Sequence, residues 1–293
     1  METPLFMNST GRSSSPTEPR YRLIACEVLF RECAVAMATC SAIVDPEFLP
    51  KGLHDLGEEG MSSRIQAAID ATDPAHYDAI LLAYGLCNYG TRGLHAPLPI
   101  VLPRAHDCIT LLLGSRQRYD EYFAANPGTF YKSPGWIERD TDPNASPASI
   151  TSRLGMTRDR AVLVEKYGEE NADYLMETMG DWLQGYRKLT FIDTGVGDTP
   201  RYLKTSQALA AEKGWEMEEV TGSRALLERL CSGDWPEADF LVVTPGERIE
   251  ASWDDGVVCA KKAANIEESR IDQPVTSADP SHEIRSKDSS AKR

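Results

Sequence analysis

The chain has 293 residues, 41% hydrophobic and 26% charged, which is enough material for one large or two smaller globular domains with a buried core. Lys and Arg total 31 against 45 for Asp and Glu, a formal charge of -14 that argues against sequence-independent binding to nucleic acid or a polybasic membrane patch. No apolar run approaches the roughly 20 residues that span a bilayer, and the amino terminus lacks the basic start and apolar stretch of a secretory signal. A cytoplasmic protein is therefore expected, with its seven cysteines as thiols rather than a disulfide framework.

Residues 1–20, rich in Ser, Thr and Pro and without periodicity, are expected to form a disordered leader. Arg22 to Cys26 reads as a first buried strand, followed by a helix through Leu29, Cys33, Val35 and Met37. Cys26, Cys33 and Cys40 recur every seven residues. Two thiols two helical turns apart are separated by on the order of 10 Å, too far to share one small metal ion, so Cys33 and Cys40 read as small core hydrophobes. Residues 41–44 form a second expected strand, before a loop with Pro46 and Pro50, and residues 64–71 show helical spacing that Asp73-Pro74 stops.

Strand-like runs at 79–83 and 98–102 follow, each ending in a loop that carries a cysteine. Tyr84 to Gly93 holds three glycines and Cys87; Pro103 to Asp107 runs into Cys108 and a short apolar helix. Alternating strands and helices predict a parallel sheet with covering helices. Residues 116–123 extend the helix as far as Asn126-Pro127-Gly128, an aromatic segment covers 129–138, and a polar loop covers 140–149.

The stretch from Thr157 to Tyr186 has a helical composition divided near Gly168. A second α/β unit is expected from a strand at 189–193, a glycine loop at 194–200, a helix at 201–213 with Pro200 in its first turn, a strand at 216–220, a helix at 223–230 capped by Ser223, and a strand at 240–244. The expected fold class is α/β, with parallel sheets and covering helices arranged as two Rossmann-like lobes. These occupy residues 21–150 and 189–250, joined by a helical insertion at 151–188, with a disordered tail over 251–293.

Cys26, Cys87 and Cys108 each fall at or just beyond the carboxyl end of an expected strand, so a parallel sheet would bring all three to one rim, where open α/β sheets bind ligands. Three thiolates can hold zinc with a fourth ligand, or an iron–sulfur cluster with one open iron. No Cys-x-x-Cys pair is present, and unrelated buried thiols are the alternative. His106 reads as a fourth ligand or as an acid or base. Asp107 is placed to cap the helix that opens at Cys108, where the helix dipole lowers a thiol pKa; Cys108 then suits either a metal or a nucleophile with His106 as base.

The loops at 85–90 and 194–198 either hold an anion through backbone N–H groups or are tight turns, since neither matches the dinucleotide fingerprint or the P-loop. Arg92, Arg104, Gly195 and Gly197 are the residues expected to face a small anionic substrate. Tyr131 and Trp136 read either as pocket walls or as core aromatics.

The segments Ile24 to Glu27, Tyr84 to Asn88, Pro103 to Thr110, Leu113 to Ser115 and Gly128 to Trp136 together resemble the bacterial and archaeal family known as domain of unknown function 1638, over about residues 22–250. The resemblance implies that the three cysteines and the His106-Asp107-Cys108 segment belong to a recurring pattern, which favours the metal reading. It also implies company with corrinoid-dependent one-carbon metabolism and a corrinoid protein as partner. The chain departs from the family at Asn88-Tyr89, where a glycine is expected nearby. The combined expectation is a cytoplasmic protein that binds an iron–sulfur cluster or zinc through Cys26, Cys87 and Cys108 and acts on a small anionic molecule, with His106 and Cys108 at the reaction. A metal-free ligand-binding or accessory protein and a thiol enzyme using Cys108 stand beside it.

Overall fold

A computed structural model describes residues 18–140, 185–252 and 256–262, together with 164 and 169. Residues 1–17 of the expected leader, nearly all of the helical insertion and the chain beyond residue 262 lie outside the described residues, and Arg20, expected in the leader, opens the first strand. All the elements below belong to the unit Met1–Lys262.

Strands β1 (Arg20–Cys26), β3 (Ala79–Ala83) and β4 (Ile100–Pro103) are the apolar runs seen in the sequence. Leu23, Ile24, Ala25, Leu81, Leu82, Val101 and Leu102 have no exposed surface. Continuous rather than alternating apolar character is what a parallel strand covered on both faces requires. β1 pairs in parallel with both β3 and β2 (Ile43–Leu49), and β3 pairs in parallel with β4. β2 runs past the expected end at Val44 and through Pro46; it lies at the sheet edge, where a residue without an N–H is tolerated.

The fifth strand of this sheet, β8 (Phe240–Val243), is antiparallel to β4, giving the order β2-β1-β3-β4-β8. The order reverses between β1 and β3, so the crevice beyond their carboxyl ends is the topological switch point of the sheet.

A second sheet contains β5 (Thr129–Lys132), β6 (Lys188–Asp193) and β7 (Glu216–Thr221), all parallel in the order β5-β6-β7. The sheets therefore do not follow the expected division of the chain. β5 comes from the segment expected in the first lobe and pairs with β6, while β8 comes from the segment expected in the second and closes the first sheet. Partner choice follows burial: Phe240 and Val243 are 1% exposed against β4, a long-range preference that sequence order does not carry.

The tail expected to be disordered from residue 251 begins instead with half of a hairpin. β9 (Glu247–Ala251) pairs antiparallel with β10 (Val258–Lys262), and Val257 and Val258 are buried. Five residues with two terminal lysines give almost no strand periodicity; burial of the valine pair decides the matter.

Helices α1 (Phe30–Thr39), α2 (Gly57–Asp70), α3 (Cys108–Leu113) and α7 (Ala225–Ser232) contribute buried residues to the main core around the five-stranded sheet. Cys33 and Cys231 are fully buried there as small hydrophobes. A smaller cluster of Ile137, Phe191 and Tyr202 joins α5 (Pro134–Asp140), β6 and α6 (Thr199–Lys213). Helix α4 (Arg116–Ala125) leads from α3 to β5. Among the described residues no helix is long and apolar enough to cross a membrane.

Candidate functional site

Cys26 is the last residue of β1 and is followed by a tight helical turn, Glu27–Leu29. Beyond β3 and β4 the two chains continue side by side: Leu86 N donates to Ala105 O and Cys87 N to His106 O, both at 2.8 Å. Gly85 makes this approach possible, because a Cβ there would lie 2.7 Å from both Ala105 O and Asp107 N. Cys108 then opens α3. Parallel pairing thus carries all three cysteines to the carboxyl ends of β1, β3 and β4, as the sequence spacing implied.

The loop that carries Cys87 has an uncommon backbone. Cys87, Asn88 and Tyr89 have φ values of 48°, 55° and 66°, three consecutive left-handed residues without a glycine among them. Each costs roughly 1–2 kcal/mol relative to the right-handed region, least for Asn. Gly90 N donating to Cys87 O at 3.1 Å, Arg92 N to Tyr89 O at 2.9 Å and Thr91 Oγ1 to Gly85 O at 3.1 Å hold the turn. This is the place where the family resemblance leads one to expect glycine, and the backbone has kept the conformation that glycine would favour.

Cys26, Cys87 and Cys108 are 3%, 5% and 8% exposed. Burial pushes the Cys26 thiol up to about 12. It pushes Cys87 and Cys108 well above the ordinary thiol range, and the Asp107 carboxylate pushes both further. A charge on Cys26 raises Cys87 and Cys108 further, and a charge on Cys87 raises Cys108. The lowering expected for Cys108 at a helix start is overturned: desolvation dominates, and a six-residue helix has little dipole to oppose it. Without a cation all three are neutral thiols at pH 7.

Two aromatic side chains stand beside the cysteines. Trp136 Nε1 donates to Cys108 Sγ at 3.4 Å. The Tyr84 hydroxyl is buried without a hydrogen-bond partner among the described residues; burial raises it most, and Cys26 and Cys87 raise it next. Trp136 reaches Cys108 because the start of α5 sits directly on the turn after Cys26, where a Cβ on Gly135 would overlap Val28 O.

The other expected site residues are placed differently. The half-exposed His106 ring stacks on Tyr119 with centroids 5.4 Å apart, and its Nε2 lies 3.8 Å from Asp120. Asp107 does cap α3, accepting from Ile109 N at 2.9 Å and Thr110 N at 3.2 Å, and Tyr119 OH donates to it at 3.4 Å. Arg92 is fastened to Glu250 at 3.0 Å and to Glu58 at 3.4 Å. Arg104 donates to the carbonyls of Glu237, Gly256 and Val258, tying β4 to the hairpin. Gly195 and Gly197, with φ of 74° and 83°, shape the turn between β6 and α6 in the second sheet. The three cysteines thus lie at or just beyond the ends of neighbouring strands, while the arginines are engaged by the protein itself.

The sequence reading passed over two buried lysines. Lys51 and Lys132, with side chains 7% and 5% exposed, each pair with one oxygen of Asp140. Lys51 Nζ lies 5.6 Å from the centre of the Trp136 ring, and its charge pulls the Cys26 thiol down against burial. Lys51 N donates to Glu27 Oε1 at 2.9 Å, and Arg139 Nε stands 3.6 Å from Glu27 Oε2. Lys132 falls within the aromatic segment, and a lysine between Tyr131 and Ser133-Pro134 was the one available signal.

Among the described residues no group of three or more His, Cys, Asp or Glu side chains is arranged so that it could hold a metal ion. The chemistry of the donors nonetheless suits a thiophilic centre, with three soft buried sulfurs and a buried phenol that has no hydrogen-bond partner among the described residues. A family model described as a protein of unknown function (DUF1638) matches residues 48–231, a span that includes Cys87 and Cys108 and leaves Cys26 outside. No curated protein and no solved structure matches the chain.

Proposed function

We propose, for a chain that belongs to the DUF1638 family, that Cys26, Cys87 and Cys108 bind zinc or an iron–sulfur cluster and that the centre acts on a small anionic substrate. The observation that carries this reading is the placement of three buried thiols at or just beyond the carboxyl ends of three neighbouring parallel strands of the first sheet. Buried neutral thiols are common one at a time. Three on successive strand ends, held by a left-handed turn at Cys87 and a glycine contact at Gly85, amount to a costly arrangement without a ligand.

A bound cation supplies Lewis acidity and inverts the local preference, since a coordinating thiol loses its proton outright. The remaining residues have roles that follow from their contacts. The Trp136 N–H donates to Cys108 Sγ, which stabilises charge on that sulfur. Tyr84 offers a buried hydroxyl to whatever lies beside Cys26 and Cys87. His106, half-exposed on the loop before Cys108 and paired with Asp120, is the group able to carry a proton to or from substrate at the rim. The mixed five-stranded sheet and the parallel three-stranded sheet would correspond to the two Rossmann-like lobes, with β5 and β8 exchanged between them.

Cobalt(II) titration of anaerobic, metal-free protein tests the reading, because sulfur-to-cobalt charge-transfer absorption reports thiolate ligands directly. The expected result is saturation at about one equivalent with a spectrum of several thiolates. Absence of charge-transfer absorption in the folded protein would remove the proposal.

A further inference from the structure

We propose that Lys51 and Lys132 form an oxyanion subsite next to the thiols, which takes the carboxylate or phosphate group of the substrate. The assignment deepens the functional reading above, and its test is arranged to stand or fall without the metal. An ammonium group has three N–H donors. Lys51 Nζ and Lys132 Nζ each spend one on Asp140, and among the described residues no second acceptor meets either nitrogen. Both are almost fully buried, so the unused donors are out of reach of bulk water. The two buried ammonium groups share the carboxylate of Asp140, and an anion set between them would offset their charge. Burial, with a smaller contribution from the Lys51 charge, pulls Lys132 below the ordinary lysine range against the opposing pull of Asp140.

Geometry gives the chemical class. Asp140 places its two oxygens one on each lysine, so the pair is already spaced to be bridged by a group with two oxygens. A carboxylate or phosphate presents the same two-oxygen edge from the opposite side. Aromatic faces flank the pair, Trp136 at 5.6 Å from Lys51 and Phe130 at 5.4 Å from Lys132. Trp136 is also the residue that donates to Cys108, which links the lysine pair to one of the three thiols. The subsite takes over the role that the sequence suggested for Arg92 and Arg104, whose guanidinium groups are occupied by Glu250, Glu58 and backbone carbonyls.

The test is calorimetric titration of full-length protein with inorganic phosphate and, separately, with acetate, first metal-free and then after metal loading. Wild type is expected to bind at least one of the two in the metal-free state, and the anion that binds more tightly identifies the source. Lys51→Met and Lys132→Met are each expected to weaken that binding by at least about tenfold, with Arg92→Gln within about threefold of wild type. Asp140→Asn guards against variants that simply fail to fold. Removing the competing carboxylate is expected to tighten anion binding by about threefold or more, whereas a purely structural lysine–aspartate cluster would lose stability with no gain in affinity. Lack of binding by folded wild type, binding only after metal loading, or an Asp140→Asn affinity at or below wild type would each overturn the assignment.

Discussion

Trp136 Nε1 donates to Cys108 Sγ across 3.4 Å, and this contact links α5, which follows a strand of the second sheet, to the helix that follows β4 in the first. The same indole lies under the ammonium of Lys51. One side chain therefore connects the thiols with the buried cations, and the consequences can be measured separately.

If Cys26, Cys87 and Cys108 act together, replacing any one should cost most of the bound metal. Cys87→Ser and Cys108→Ser are each expected to lower metal affinity by at least about tenfold, whereas Cys40→Ser, whose sulfur hydrogen-bonds backbone carbonyls at the end of α1, should retain it. Metal content after dialysis against a weak chelator reads the difference. Equal retention by Cys40→Ser and Cys108→Ser would count against a shared centre.

In the metal-free protein Cys108 should not behave as an activated nucleophile. Burial and the Asp107 charge hold its thiol protonated, and the imidazole of His106 stacks on Tyr119 instead of meeting the sulfur. Timed iodoacetamide alkylation at pH 8, followed by peptide mass analysis, should show Cys108 reacting no faster than the partly exposed Cys40 or Cys259. Preferential labelling of Cys108 would revive the thiol-enzyme reading.

Gly85→Ala forces a Cβ against the backbone of residues 105–107 at the point where the two cysteine loops pair. Overpacking of this kind costs about 1–3 kcal/mol, and more where backbone is the obstacle. Urea unfolding should show that loss, and the variant should also hold metal more weakly. A stability within about 0.5 kcal/mol of wild type would mean that the loops relax freely.

Asp107 caps α3 and accepts from Tyr119, so Asp107→Ala should destabilise by about 1 kcal/mol, within the 0.5–2 range of cap deletions. Asp107→Asn keeps an acceptor and removes the buried charge that raises Cys87 and Cys108. It should unfold close to wild type while its thiols alkylate faster.

Glu32 gives the pH dependence a sign. It is fully buried; Oε1 accepts from Thr194 Oγ1 at 2.7 Å, while Oε2 meets no partner among the described residues. Burial raises its carboxyl above the ordinary 4.5 and outweighs the lowering by Thr194. Between the unfolded and folded values the native state holds the extra proton, so stability falls as pH rises through that window. Glu32→Gln should therefore gain on wild type at pH 8 relative to pH 4 in thermal unfolding. A gain that was the same at both pH values would contradict the assignment.

The elements of the first sheet were legible because β1, β3 and β4 are continuous apolar runs bounded by turn residues, and parallel pairing then fixed where Cys26, Cys87 and Cys108 must lie. Partner choice was not legible. Nothing in Phe240 to Val243 distinguishes an antiparallel partner of β4 from a strand of the second sheet, and Thr129 to Lys132 is short and aromatic with no alternation. The hairpin strand β10 was missed for the same reason. At the site, Arg92 and Arg104 looked free because their partners, Glu250 and the carbonyls of residues 237, 256 and 258, lie more than 100 positions away. Lys51 and Lys132 drew no attention because a lysine reads as exposed until the fold buries it, here against Asp140, which is 89 positions from Lys51 and 8 from Lys132.

The central claim is that three strand-end thiols hold one inorganic centre, and the iron and zinc content of anaerobically purified full-length protein, read with its visible spectrum, tests it most directly. The expected result is about one zinc per chain without visible colour, or about three to four irons per chain with broad charge-transfer absorption. Less than about half an equivalent of the two metals together, in protein that is folded and has all three thiols reduced, would contradict it.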